Sequence, residues 1–498
     1  MINVLLSAVL TALSMPGMLW GGLIWIALVP LFLELNRSNL VSGTLKSFLF
    51  GYIYLLLAHY WVFPVLSVNV PEVLNSFPPF VGGMTFFLMG LIMAVSFLGF
   101  GFIYSLYSKK FQDSLLLKSV FVATLYTIFE YLRGLGPLGF TGGRLSDALV
   151  DQKGLLQLSS LGGPLLLIFI VAFVNALIAA RVGERRRGRP MFVVTLLLAI
   201  FVINGAVERF IPVVDFDPEY SKEIVAIQTN FPQSIKYNGS IQETLKVVEE
   251  ALEEVPDGSI VVLPEATFMN DIRHNYVGKE LIDICERKQI ELFIGFPTFN
   301  EGTHNQIRVV SGDGFSSESY AKIKLTPFAE FLPWPRLFGV FGFLRFLDFF
   351  TPGNEYTVFT LNDQRIGTQI CFDSYYSSIS RGLTKNGSFI LITSTNDGWF
   401  SFDSGLNYHL SKSVIRAVEN RRFVLQVSNT GITALIDPYG RIIKSLPTAK
   451  EKNVDFLVST FEYLPLAGQS FYTRHGDWLF YILLIVALIM IVFGGILF

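Results

Sequence analysis

Ile366-Gly367-Thr368-Gln369-Ile370-Cys371-Phe372-Asp373 reads as a β-strand that carries a cysteine to its carboxyl-end tip. A second run, Val261-Val262-Leu263-Pro264-Glu265, is a buried strand ending in a carboxylate. A third, Tyr320-Ala321-Lys322-Ile323-Lys324-Leu325-Thr326-Pro327-Phe328-Ala329-Glu330, brings a lysine and a further carboxylate close together. Short β-rich runs and helical stretches alternate around them from 215 to 470. The expected strands are 223–228, 259–263, 291–297, 366–370, 389–393, 423–428 and 433–437; the expected helices are 241–254, 277–288 and 405–421. That pattern and length predict one α/β domain.

The rest of the chain is of another kind. Of the 498 residues 51% are hydrophobic and 16% charged, with a mean hydropathy of +0.50, whereas soluble domains average about 25% charged residues. Residues 1–211 hold only 14 Lys and Arg and 8 Asp and Glu. A bilayer core of about 30 Å takes about 20 apolar residues as a helix. That ruler predicts spans at 2–14, 18–35, 41–65, 80–107, 116–133, 162–181 and 191–211, and a last one at 478–498. Met15-Pro16-Gly17-Met18 makes a hairpin between the first two. The start has no basic n-region and its apolar sequence runs on, so a cleaved signal peptide is not expected. The organisation read from this is a membrane domain (1–211), a globular domain (215–470) and a returning helix (478–498).

Cytoplasmic loops collect Lys and Arg. Here those residues gather after the second span (Arg37, with Lys46 beyond), after the fourth (Lys109, Lys110, Lys118) and after the sixth (Arg181 to Arg189, with Arg185, Arg186 and Arg187 consecutive). The segment 67–79 has none, and 134–161 has only Arg144 and Lys153. The amino terminus is therefore expected inside and the globular domain outside.

Several function classes fall away. The net charge of −2 gives no reason to expect a nucleic-acid partner. Two cysteines, Cys285 and Cys371, support neither a zinc cluster nor a disulfide framework. HExxH, paired CxxC, GxxxxGK and GxGxxG are missing from any credible context, so neither metal nor cofactor is expected. His59, inside an apolar run, reads as a packing residue.

Glu265, Lys322 and Cys371 do have a joint chemistry. A thiol attacks as thiolate, and at a free pKa near 8.5 it is only a few per cent ionised at neutral pH. A carboxylate can take its proton, and a fixed ammonium can hold that carboxylate charged and stabilise an acyl oxyanion. Taken singly, a strand-end cysteine is more often packing, a Pro-Glu a loop start, and a lysine surface.

In the order and setting of these three residues the chain resembles the carbon–nitrogen hydrolase (nitrilase) superfamily. It is more closely similar to the membrane branch of that superfamily, the apolipoprotein N-acyltransferases. Gln228 to Tyr237, Pro327 to Pro333, Asn396-Asp397-Gly398-Trp399-Phe400 and Tyr472 to Trp478 carry that likeness, as does the plan of seven spans, a globular domain and a returning span. The resemblance implies a polytopic helical membrane domain of about eight transmembrane helices plus an extracytoplasmic αββα sandwich. It implies Glu265, Lys322 and Cys371 as catalytic, Glu330 and Asp373 as supporting carboxylates and Tyr237 as a substrate-binding residue. The spacing of the family's Pro-Phe-x-Glu block selects Lys322 over Lys324. This chain has Tyr237 where the family usually has Trp, Ala329 for Gly, and Phe372-Asp373 for Tyr-Glu.

The implied reaction has two steps. Cys371 takes an acyl chain from a phospholipid donor. The α-amine of a diacylglyceryl-cysteine at an apolipoprotein amino terminus then removes it. Thioester to amide is downhill, so no ATP is needed. The implied place is the bacterial inner membrane, with the catalytic domain periplasmic. A membrane-anchored amidase is the competing reading. Residues 331–350 hold eight aromatics directly after the lysine block and are expected to form either a core segment or a lipid-dipping arm.

Overall fold

The computed structural model describes all residues except 75–76, 112, 184–188, 300–301, 339–349, 453 and 494–498. Arg185–Arg187 and most of the aromatic run, including Phe341, Phe343 and Phe346, lie outside the described residues.

Helices occupy all eight stretches read as spans. They are α1 (Ile2–Leu13), α2 (Val29–Asn36, led by the short turns Gly21–Leu23 and Ile24–Ala27), α3 (Leu40–Ala58), α4 (Pro79–Tyr107), α5 (Leu115–Arg133), α6 (Ser159–Gly183), α7 (Arg189–Arg209) and, at the far end, Trp478–Phe493. Among the described residues five helices, α3 to α7, are long and apolar enough to cross a membrane; those near 2–13, 21–36 and 478–492 are shorter. The third span departs from its expected 41–65 extent. Helix α3 stops at Ala58, where His59 turns inward and bonds the Leu55 carbonyl through Nδ1 (2.9 Å), and the chain continues as looser turns past Pro64. At Gly17 (φ +74°) the expected hairpin turn presses so close to Ser404 that an added Cβ would sit 2.8 Å from the Ser404 Cα.

The globular part is built on two six-stranded sheets. One is ordered β12-β1-β2-β3-β4-β5 and the other β11-β10-β9-β8-β7-β6. The first comprises β1 (Lys222–Gln228), β2 (Ile260–Val262), β3 (Glu291–Thr298), β4 (His304–Ser311), β5 (Gly314–Ala321) and β12 (Leu457–Tyr463). The second comprises β6 (Val358–Leu361), β7 (Gln364–Ile370), β8 (Ile390–Thr395), β9 (Phe423–Ser428), β10 (Ala434–Ile436) and β11 (Ile442–Ser445). In each sheet three central strands run parallel, β1-β2-β3 and β7-β8-β9, flanked by antiparallel edges.

The two-residue alternation of side chains sorts the core into layers. Ile224, Ala226 and Val262 join Phe359, Ile366 and Ile392 between the sheets; Val225, Ile227 and Val261 face α8 (Ile241–Glu253) and α9 (Tyr276–Lys288) on the outside. Rings of Phe293 and Phe359 meet edge-on at 5.3 Å across the sandwich. Against the outer face of the second sheet lie α10 (Ser377–Lys385) and α11 (Asp403–Asn420). The arrangement is an αββα sandwich, as expected.

Helix α11 is buried on both sides, Asn407 and Asp403 aside, because the loop between α5 and α6 packs against it. Lys412 reaches Asp147 of that loop at 2.6 Å, and the Tyr408 hydroxyl donates to the same carboxylate, also at 2.6 Å. The membrane domain thus forms a further layer on the sandwich. The helix of Trp478–Phe493, α12, returns beside α5, with the Phe480 and Tyr131 rings stacked at 4.0 Å.

Candidate active site

Parallel strands of an open α/β layer present their carboxyl ends to ligands, and here those ends hold the reactive groups. Glu265 follows β2, Cys371 follows β7, and Asn396 and Asp397 follow β8. Lys322 follows β5, where its backbone N–H donates to the Asn305 carbonyl of β4 at 2.8 Å.

Lys322 is 2% exposed and joins two carboxylates, Glu265 at 3.0 Å and Glu330 at 2.9 Å. The Asn305 amide also bridges them, at 2.9 Å to Glu265 and 3.1 Å to Glu330. The other Glu265 oxygen accepts the Asn396 N–H at 3.0 Å, and Glu330 accepts the Thr326 N–H at 2.8 Å. Burial alone would raise the Glu265 pKa, but the Lys322 ammonium, its hydrogen bond and that of Asn305 outweigh it and hold the carboxyl below its usual range. Desolvation works against the Lys322 charge; Glu265 and Glu330 overcome it and keep the group protonated.

Cys371 is half-buried and its backbone is left-handed, φ +47°, a conformation costing an L-residue about 1–2 kcal/mol. The strand ends there in a short 3₁₀ turn, Cys371–Tyr375. Burial first, then the Glu265 charge, push the thiol well above its usual range, with Lys322 opposing. The resting group is therefore a thiol beside an ionised carboxylate and a fixed ammonium. Asp373 is wholly buried and aimed away from Lys322. It accepts from Tyr320 (2.8 Å), from the Lys324 N–H (2.7 Å) and from the Ile370 N–H (3.1 Å). Those bonds tie the cysteine turn to the end of β5.

Tyr237 stands at the rim, its ring 5.2 Å from that of Trp399. Lys324, two residues from Lys322, points elsewhere, its ammonium 4.9 Å over the Tyr376 ring. Cys285 is buried in the outer layer and unpaired, its thiol pushed up to about 12 by burial. Among the described residues no group of three or more His, Cys, Asp or Glu could hold a metal.

Three neighbours escaped the sequence reading. Asn305 lies on a strand too polar to stand out. Lys236 is buried and donates to the Glu265 carbonyl at 2.8 Å, with its pKa lowered to about 7 by desolvation; its only signal was the Gln228–Tyr237 motif. His409 sits under the cysteine turn, 3.2 Å from the Cys371 carbonyl.

An apolar groove of about 630 Å³ opens between α3 and α4, lined by Leu56, Phe63, Phe86, Phe87 and, from the globular domain, Phe402. The Asn69 amide bonds the Trp399 carbonyl at 2.6 Å, linking the groove's rim to the loop that carries Tyr237's neighbour.

The αββα sandwich with its carboxylate–ammonium–thiol cluster, set on apolar helices, defines a membrane-attached protein of the carbon–nitrogen hydrolase fold. A family model described as "Carbon-nitrogen hydrolase" matches residues 225–459, and one described as "Apolipoprotein N-acyltransferase N-terminal domain" matches residues 7–177. The chain is 42% identical to the Apolipoprotein N-acyltransferase of Thermotoga maritima, over 98% of this chain and 92% of that protein. It is 29% identical to that of Aquifex aeolicus, covering 86% and 95%, and 26% identical to Apolipoprotein N-acyltransferase 1 of Treponema denticola, covering 95% and 92%. The chain belongs to the apolipoprotein N-acyltransferase family.

Proposed function

We propose that this membrane enzyme N-acylates the α-amine of the S-diacylglyceryl-cysteine at the amino terminus of apolipoproteins, with a phospholipid as acyl donor. Cys371 is the nucleophile, Glu265 the general base and Lys322 the oxyanion-stabilising cation. Glu330 and Asp373 support them, and Tyr237 offers an aromatic face to substrate. In the first step the Cys371 sulfur attacks the ester carbonyl carbon as its proton passes to Glu265. The tetrahedral oxyanion collapses, and the departing alkoxide of the lysophospholipid takes that proton. In the second step the acceptor amine attacks the thioester carbonyl, its proton passes to Glu265, and the thiolate leaves and is reprotonated.

The electrostatics suit this order. A raised thiol and a depressed carboxylate make proton transfer uphill at rest, so the sulfur loses its proton as the carbonyl is attacked. The observation that carries the acyltransferase reading over an amidase is the apolar groove between α3 and α4, whose wall reaches Phe402 of the catalytic domain. A long-chain donor and a diacylated acceptor both need an apolar path from the membrane helices to the globular domain; a small amide does not. The proposed division is 1–211, 215–470 and 478–498. The proposed placement is the bacterial inner membrane with the catalytic domain on the periplasmic side, from the alternation of basic loops.

The test is acyl-enzyme chemistry. Incubated with phospholipid and no acceptor, the purified protein should gain one acyl mass that neutral hydroxylamine removes and that is missing from Cys371→Ala. A diacylglyceryl-cysteinyl peptide with a free α-amine should discharge it, and the same peptide with its amine acetylated should not. Hydrolysis at one rate with or without peptide, together with ammonia release from simple amides, would establish the amidase instead.

A further inference from the structure

The left-handed turn at Cys371 needs something to hold its carbonyl. Two side chains do. The Ser374 hydroxyl donates to that oxygen at 2.8 Å, and His409 Nε2 lies 3.2 Å from it. Behind the ring, His409 Nδ1 lies 2.6 Å from the Asp397 carboxylate. Asp397 is itself held by Thr395 Oγ1, at 2.8 Å, and Ser428 Oγ, at 3.3 Å. His409 and Asp397 are each 1% exposed. They come from α11 and from the end of β8, and neither has a part in the chemistry described above.

The hydrogen-bond accounting favours a charged ring. A neutral imidazole has one donor nitrogen and one acceptor nitrogen. Nε2 faces the Cys371 carbonyl, an acceptor, and the Ser374 oxygen at 3.2 Å, whose proton is already given to that carbonyl. Nδ1 faces a carboxylate and the Thr395 oxygen at 3.4 Å, whose proton goes to the same carboxylate. With the Ser374 proton on the Cys371 carbonyl and the Thr395 proton on Asp397, both ring nitrogens face acceptors, and a doubly protonated ring satisfies them. The pair is an imidazolium and a carboxylate, with the cation on the side of the nucleophile.

We propose that His409 and Asp397 are a positioning dyad: a fixed imidazolium–carboxylate pair that pins the left-handed turn of Cys371 through its carbonyl and sets the reactivity of its thiol. The proposal rests on Cys371 being the acyl-accepting nucleophile. The neighbours agree with a charged ring, since Asp397 and its hydrogen bond raise the His409 pKa against the lowering by burial. The titratable groups that act on the thiol are Glu265, Lys322, Asp397 and Glu330, with Lys236, Tyr237 and Tyr375 also within its field. Those facing the imidazole are Asp397 and Glu265, with the Tyr375 ring 5.6 Å from it. Of these Asp397 raises the thiol, so a neutral side chain at 409 leaves that carboxylate uncompensated and drives the thiol higher still.

The experiment is the pH dependence of iodoacetamide alkylation of the full chain in detergent, in a Cys285→Ser background so that only Cys371 reacts. His409→Gln keeps an N–H donor but no charge. It should move the alkylation midpoint up by about one unit, hence slow the reaction about tenfold at neutral pH. Single-turnover acylation should slow in parallel while half-saturation by phospholipid stays unchanged. His409→Ala, lacking the donor as well, should fall further. Should His409→Gln fail to fold, His409→Asn is equally neutral and is read by the same profile. A folded neutral variant whose profile superimposes on that of the parent overturns the proposal. Alkylation reports the thiol whether or not it carries the acyl group. A shifted profile with no acyl mass on Cys371 would therefore refute the nucleophile and spare the dyad; a superimposable profile with a Cys371 thioester would do the reverse.

Discussion

Lys322→Met tests the charge balance at the centre of the site. The side chain is nearly isosteric but removes an ammonium that lies 3.0 Å from Glu265 and 2.9 Å from Glu330. Two consequences follow. Glu265 is left facing Glu330 without the cation between them and loses the main influence that holds its pKa down. A buried carboxyl without a cationic partner can rise by as much as 3–5 units, which puts the base near or above neutrality and half disables it at pH 7. The oxyanion also loses its cation, and removal of one such donor costs about 10²–10³-fold in rate. Acyl-enzyme formation should therefore slow by about 10³-fold. Its acid limb should move to higher pH. Breaking a buried ion pair should lower stability by about 3 kcal/mol. The assay is the time course of the acyl mass on intact protein across pH, beside a thermal melt in the same detergent. Lys324→Ala, whose ammonium lies over Tyr376 instead, is the control and should acylate near the parent rate. A Lys322→Met protein that acylates within about threefold of the parent, a barrier difference under 1 kcal/mol, would refute the reasoning.

Three further predictions concern other parts of the chain. Burial pushes the Asp373 carboxyl up to about 6, against hydrogen bonds from Lys324 and Ile370 and the Lys322 charge. The folded protein thus holds that proton more tightly than the unfolded chain, and the stabilisation is full below about pH 4 and lost as pH rises through about 6, about 3 kcal/mol in all. Asp373→Asn should flatten that part of the melting-temperature curve; an unchanged slope would count against it. Gly17→Ala places a Cβ 2.8 Å from the Ser404 backbone at φ +74°. It should lower stability by about 1–3 kcal/mol in a thermal melt, where no change would show that the hairpin can move away. For topology, an impermeant thiol reagent on intact cells should label Asp257→Cys and spare Lys109→Cys in a Cys-free background; the opposite pattern would invert the proposed orientation.

Glu265 was legible because it follows the apolar run Val261-Val262-Leu263, and Cys371 because it ends Ile366-Gly367-Thr368-Gln369-Ile370, a strand bounded by isoleucines. Helix α8 was expected at 241–254, and in the structure Ser240 and Glu243 form a reciprocal cap at its start. The hairpin of β4 and β5 was not expected. Its sequences, His-Asn-Gln-Ile-Arg-Val-Val-Ser and Gly-Phe-Ser-Ser-Glu-Ser-Tyr-Ala, carry polar groups inward, Asn305 to the site and Tyr320 to Asp373. Selection for those contacts erased the apolar signal, and Asn305 vanished with it. The end of α3 at Ala58 was equally hidden, since the apolar run continues past it and the break falls at His59, whose backbone leaves the helical region. His409 could not be read at all. A lone histidine in an amphipathic helix acquires meaning from a carbonyl 38 positions away.

The burial of α11 on both faces bears on any attempt to separate catalysis from the lipid phase. Lys412 and Tyr408 find their acceptor in Asp147. Arg421 finds Gln157 and Ser160, and the Tyr375 carbonyl, at the end of the cysteine turn, receives Thr141. Cutting the chain at its linker would not cut the molecule at a seam. A fragment from 215 onward would present Lys412 without its carboxylate and a cysteine turn missing one of its struts. In this enzyme the membrane half is not a tether that could be exchanged for another anchor; it is a wall of the room that holds the Cys371 turn.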